Sequence, residues 1–245
     1  MKEALDSPVP VDMRQYLQDL QTAASQCSEL AVIDHRGALG KVHQVDDDLK
    51  QWVARISGPE VDQLRAARRE LALAEFCAAS GLYRQAFASL RLFLELSFAA
   101  VHFSVHEFER RRWKSDKSDF SWSRALDEVT GLLSKQFVDE FAPQCQGDAS
   151  KYAADAARTY RYCSQFIHGK ARVSDSLPGA LGYSSEAVGD WCVHAERCGT
   201  AVLFLLYVRY GADLGAPTDP ALSEVLISRF GHLSSIRVSL GLAND

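Results

Sequence analysis

The stretch "YRQAFASLRLFLELSFAAVHF", residues 83–103, decides the fold. Phe87, Leu90, Leu94, Phe98 and Val101 recur at intervals of three and four, and Val105 and Phe108 continue the series. That period is the apolar stripe of an α-helix, here expected over 83–113. Upstream, Gly81 breaks a helix expected over 59–80, whose first turn suits Pro59 because a missing N–H costs nothing there. Two long helices joined by so short a turn form an antiparallel hairpin.

Downstream, "KSDKSDFS" (114–121) is a polar loop. A helix is expected over 122–134, decaying toward Pro143. Another, N-capped by Asp148, runs to 168. After a loop holding Pro178 and Gly179, Ser184 caps a helix ending near Gly211. Its stripe is Val188, Trp191, Ala195, Cys198, Val202 and Leu205. One or two short helices follow Pro217 and Pro220. Residues 1–57 carry weaker signals: a helix over 11–27, a strand or loop around Gly37 and Gly40, and a second helix over 46–56. No long alternating segment argues for a sheet, so the reading is all-α. It comprises an N-terminal helical extension (1–57) and a helical bundle (58–245).

Composition agrees. Glycine and proline together number only 22 of 245 residues, against abundant Leu, Ala, Arg and Glu, which favours helix. The net charge of −5 excludes a polycation, so nucleic-acid contact requires a local basic patch. Six cysteines lack any CxxC spacing. With no recognisable signal peptide they read as reduced thiols of a soluble, cytoplasmic protein. The run "TAVLFLLYV" (200–208) is far short of the ~20 residues of a membrane span, and no membrane partner is expected.

Chemistry concentrates in "RYCSQFIHGK", residues 161–170. Seven residues are almost two helical turns, a net rotation of only ~20°. Arg161 and His168 therefore share a face, with Ser164 and Gln165 between them and Arg158 beside them. Tyr152, Ala156, Thr159, Cys163 and Phe166 form the opposite, packing stripe. Gly169 just past the helix end places His168 at the negative pole of the helix dipole, and Lys170 and Arg172 follow. An arginine can stabilise charge on phosphoryl oxygens. A histidine can take the proton of a ribose 2′-OH or give one to a leaving 5′-oxygen. Such a site needs no metal and no cofactor. The same pattern is also ordinary C-terminal capping on a solvated face.

The local sequence "YRYCSQFIHGK" resembles the signature helix of the HEPN family, an all-α nucleotide-binding fold. Its motif is an arginine, four to six residues, then a histidine. Arg161 and His168 have six between them, and residues 83–103 resemble the long helix before that motif, with Arg91 and Glu95 as its R-x-x-x-E. The segment "RRRWKSDKSDFSW" resembles the loop after it. The resemblance implies an up-and-down bundle that dimerises and sets two Arg–His pairs around one cleft. The activity it implies is a metal-independent endoribonuclease of toxin–antitoxin or phage-defence systems, acting on RNA with a cognate antitoxin or other defence partner. Catalysis would fall to Arg161 and His168, and substrate binding to Ser164, Gln165, Arg158 and Lys170. Other members are non-catalytic modules that bind a nucleotide, RNA or partner protein. Active members carry a polar residue immediately after the arginine, where this chain has Tyr162.

Further groups have competing readings. Arg91 and Glu95 suit an ion pair, and with His102 and His106 they form a secondary polar strip. Two histidines four apart can chelate zinc, but HExxH is absent and no third ligand is fixed. Cys192 and Cys198 point about 120° apart on one helix and read as buried apolar groups, not ligands beside His194. "ERRRW" (109–113) reads equally as an RNA-stacking run or a solvated helix end. "GALGKV" (37–42) lacks P-loop spacing.

Overall fold

The computed structural model describes residues 12–242. Residue 11, the first of the helix expected over 11–27, lies outside these, as do the outermost residues of both expected domains. Helix makes up 75% of the structure and no strand occurs among the described residues, so the protein is all-α. The helices are α1 (Met13–Val53), α2 (Val61–Ala79), α3 (Tyr83–Val105), α4 (Glu107–Lys114), α5 (Trp122–Ala125) and α6 (Lys135–Phe141). They continue as α7 (Gln146–Ile167), α8 (Ala171–Ser174), α9 (Ser185–Tyr210), α10 (Pro220–Phe230) and α11 (Ser234–Ser239).

The hairpin of α2 and α3 forms as the spacing predicts. Phe87, Leu90, Leu94, Phe98 and Val101 are all buried, and α7 and α9 pack against α3. The hub is α9, capped by the Ser184 hydroxyl accepting from the Ala187 N–H. From Ala201 to Val208 every residue is buried, because this helix has neighbours all round instead of on one stripe. By composition α3 is the one described helix long and apolar enough to cross a membrane, but 67% of its apolar window is buried inside the bundle.

The N-terminal region departs from expectation. In place of two helices around a strand or loop stands one 41-residue helix, α1, with a local break at His35 (φ −126°, ψ 20°). Its stripe of Ala31, Leu39, Val42, Val45, Leu49 and Trp52 is buried in the common core, so packing carries the helix through Gly37 and Gly40. At the break, His35 hydrogen-bonds the Ser185 hydroxyl at 2.9 Å and Asp34 accepts from the Tyr183 hydroxyl at 2.6 Å. These contacts fasten α1 to the start of α9. Further along, a Cβ on Gly199 would lie 2.4 Å from Val45 Cγ1, so the two helices meet as closely as glycine allows. The buried Asp48 accepts from Gln44 and from Arg229 of α10, tying the C-terminal helices to α1.

Three other boundaries differ. The helix expected over 83–113 stops at His106 (φ −128°, ψ 66°), so Phe108 leaves the stripe and is 73% exposed. The turn folds Glu109 back onto His102, 2.9 Å away, and onto Arg124. The helix expected over 122–134 survives only as α5. There the Asp127 carboxylate accepts from the Val129 and Thr130 N–H groups at 3.0 and 2.8 Å, an alternative to the helical ladder that Asp readily offers. Finally, α7 starts at Gln146 after a 3₁₀ turn. Asp148 is therefore inside the helix and accepts from Ser235 at 2.7 Å instead of capping.

All six cysteines are free. Burial pushes the thiols of Cys145, Cys163 and Cys192 up to about 12.

Candidate functional site

Helix α7 divides as its sequence predicts. Tyr152, Ala156, Thr159, Cys163 and Phe166 are buried against α3 and α9. Arg158, Arg161 and His168 are exposed, with Ser164 and Gln165 half-buried between them. Neither the Arg161 nor the His168 side chain has a hydrogen-bond or ion-pair partner among the described residues. Two cationic or imidazole groups on one face, uncommitted to the fold, are available to a ligand.

The helix end is built to hold that face. Gly169 takes φ +60°, its N–H bonds the Phe166 carbonyl at 3.3 Å, and the Lys170 N–H bonds the Gln165 carbonyl at 3.0 Å. This is the glycine-terminated Schellman arrangement. Arg84, at the start of α3, adds a bond from Nη1 to the Phe166 carbonyl (2.7 Å) and one from Nη2 to Ser174 (3.0 Å). Its role could not be read from the chain, because the antiparallel approach of α3 to α7 is what brings it there. His168, Lys170 and Arg172 remain exposed around this fixed end.

Not every group expected to position a substrate is available. Ser164 donates to the Tyr160 carbonyl of its own helix at 2.8 Å. Tyr162 points away from Arg161 into the bundle, where its hydroxyl donates to Asp190. Its ring stacks on His194 at 4.0 Å and 11°. Burial and the neighbouring carboxylate both raise the Tyr162 phenol well above its ordinary value. Of Ser164 and Gln165, only Gln165 keeps a side chain without an internal bond among the described residues.

Arg161 borders a cleft of about 500 Å³ between α7 and residues 126–135. Ala153, Ala154 and Ala157 form its α7 wall, and Leu126, Leu132 and Leu133 face them.

The secondary strip separates into two parts. Arg91 and Glu95 pair at 3.0 Å, and both hydrogen-bond the Tyr160 hydroxyl. Trp122 stacks on the Tyr160 ring at 4.3 Å. This network joins α3, α7 and α5, and meets neither Arg161 nor His168. His102 is held by Glu109, with the His106 ring 4.4 Å away. Burial and the nearby His102 lower the His106 pKa. Among the described residues no three of His, Cys, Asp and Glu come together in a way that could hold a metal ion.

Burial also pushes His194 below the ordinary imidazole range; the Asp190 carboxylate opposes this, and Arg197 and Arg158 reinforce it. The unfolded chain therefore binds more protons than the folded one as pH falls through about 6.5. Stability should drop over that interval, with His106 adding a change of the same sign. Urea midpoints measured at about pH 7.5 and about pH 5.5 test this. His194→Gln should flatten the dependence, and a slope unchanged by that substitution would count against the assignment.

Comparisons with protein-family models, with curated proteins and with solved structures find no match.

Proposed function

We propose that the exposed face of α7 is the active site of a metal-independent endoribonuclease on a HEPN-like helical bundle. The observation that carries this reading is the exposure of Arg161 and His168 on one face, with no internal partner among the described residues and behind a fixed helix end. In the reaction, the 2′-oxygen of the ribose attacks the adjacent phosphorus and the 5′-oxygen departs. The products are a 2′,3′-cyclic phosphate and a 5′-hydroxyl. His168 makes one of the two proton transfers, taking the 2′-OH proton or giving one to the leaving 5′-oxygen, and water makes the other; Arg161 stabilises the charge gathering on the equatorial oxygens. Gln165, Arg158 and Lys170 hold the flanking strand.

Along the helix axis the two Cα atoms are about 10 Å apart. One phosphate meets both groups when the arginine extends toward the helix end, or when a second copy faces the first. A homodimer with two opposed pairs is the arrangement the HEPN resemblance supplies. That resemblance also places the enzyme in a toxin–antitoxin or phage-defence setting, with an antitoxin or defence protein as its regulator.

A second reading rests on Tyr162 and Ser164. With both side chains turned to internal bonds, the face suits a module that binds RNA, a nucleotide or a partner protein without cutting.

The test is incubation of the purified protein with RNA and with DNA of the same sequence, in excess EDTA. RNA cut to cyclic-phosphate ends while DNA stays intact is the expected result, since only RNA has the attacking 2′-OH. Equal cutting of DNA rules out the mechanism; RNA binding without cutting favours the module.

A further inference from the structure

We infer that the cleft between α4 and α5 is a second contact site for single-stranded RNA, where an unpaired base stacks on Phe108 and the backbone runs over Arg112 and Arg124. The inference rests on RNA being the ligand of the Arg161–His168 face.

The break at His106 turns Phe108 out of the core and leaves it 73% exposed. It stands at the rim of a cleft of about 220 Å³ whose wall includes Phe103 and Phe120. The Arg112 guanidinium lies 5.9 Å from the Phe108 ring centroid, and Arg124, which lines the same cleft and pairs with Glu109, keeps its side chain 62% exposed. Between residues 107 and 124 stand six Lys and Arg against four Asp and Glu, on a chain whose net charge is −5. A local excess of positive charge beside an open aromatic face is the arrangement that holds single strands. The charge follows the phosphates, and every base offers a π-face to the ring. Of the two carboxylates that line the cleft, Glu109 is already held by His102 and Arg124, which weakens its repulsion of a phosphate, and Asp119 is exposed to solvent.

Position links the two sites. Ser121 and Arg124 line the Phe108 cleft, while the segment from Leu126 to Lys135 lines the cleft bordered by Arg161. The short α5 stands between them, and its Trp122 stacks on Tyr160, the residue before Arg161.

The experiment measures affinity of the full chain carrying His168→Ala for a fluorescein-labelled, unstructured RNA of about 12 nucleotides, by anisotropy at several salt concentrations. Phe108→Ala should weaken binding about tenfold or more, and Phe108→Trp should retain it. Arg112→Gln should reduce the slope of log affinity against log salt by about 0.7. Because both side chains are exposed, these variants should melt with the parent. Equal RNA affinity in Phe108→Ala and the parent overturns the inference, as does failure of the parent to bind the RNA. So does a surface that binds an acidic peptide through Phe108 and Arg112 while RNA affinity is unaffected by their loss. Cleavage is scored separately with His168 present. Cutting that persists with no role for Phe108 leaves the nuclease standing alone. Phe108-dependent binding without cutting leaves the platform and removes the nuclease.

Discussion

Replacing His168 by alanine is expected to slow RNA cleavage about 10²- to 10⁴-fold, the usual contribution of a positioned general acid or base. Arg161→Ala should cost about 10²- to 10³-fold, as for other groups that stabilise charge in the transition state. Neither change should disturb the fold. Both side chains are exposed and unpartnered among the described residues, and surface substitutions of that kind stay within about 0.5 kcal/mol. Gly169, Lys170 and Arg84 still close the helix when His168 is cut back, because Gly169 and Arg84 bond the Phe166 carbonyl and the Lys170 N–H bonds that of Gln165. Single-turnover cleavage beside thermal melts separates the two effects. If His168→Ala cuts at the parental rate, the histidine is no catalyst and the observed activity has another source. Arg161→Lys is the informative intermediate. It keeps the charge but loses the planar fork that grips two phosphoryl oxygens, so partial activity is expected.

The largest effect on stability is expected at Asp48, far from this face. Its side chain is 6% exposed and accepts from both Arg229 and Gln44. The Arg229 side chain is itself only 11% exposed; it meets Asp48 through Nε, and its Nη2 has no partner among the described residues. Asp48→Ala leaves a guanidinium buried and uncompensated, a change that costs about 3–5 kcal/mol. The double variant with Arg229→Met should recover much of that loss, because removing both charges also removes the desolvation they share. Urea unfolding of the single and double variants measures both quantities. A loss below about 1 kcal/mol for Asp48→Ala would mean the pair behaves like an exposed one.

Much of the bundle was legible because its helices carry their own stripes. The stripe residues of α9 (Val188, Trp191, Ala195, Cys198, Val202 and Leu205) and of α7 (Tyr152, Ala156, Thr159, Cys163 and Phe166) are buried as their spacing requires. What escaped depends on contacts distant in the chain or on side chains competing with the backbone. Around Gly37 and Gly40 local propensity says loop, but Val45 against Gly199 and His35 against Ser185 hold the segment helical. At His106 the stripe alone would continue; Glu109 meeting His102 and Arg124 favours the turn. After α5 the Asp127 carboxylate takes the N–H groups a helix would have used. The polar face of α7 could be read from seven-residue spacing, whereas Arg84 and the inward course of Tyr162 needed the third dimension.

That inward course restricts how the site can vary. Arg161 and Tyr162 are chain neighbours, yet one belongs to the surface and the other to the interior, where it joins Asp190 and His194. Exchanging Tyr162 for a small polar residue would leave Asp190 without its hydroxyl partner and open a gap beside Phe87 and Phe166. Such a change would be selected against for folding before any effect on substrate was felt. Adaptation of this face is therefore channelled to Gln165, Arg158 and Lys170, whose side chains can be exchanged without disturbing the core.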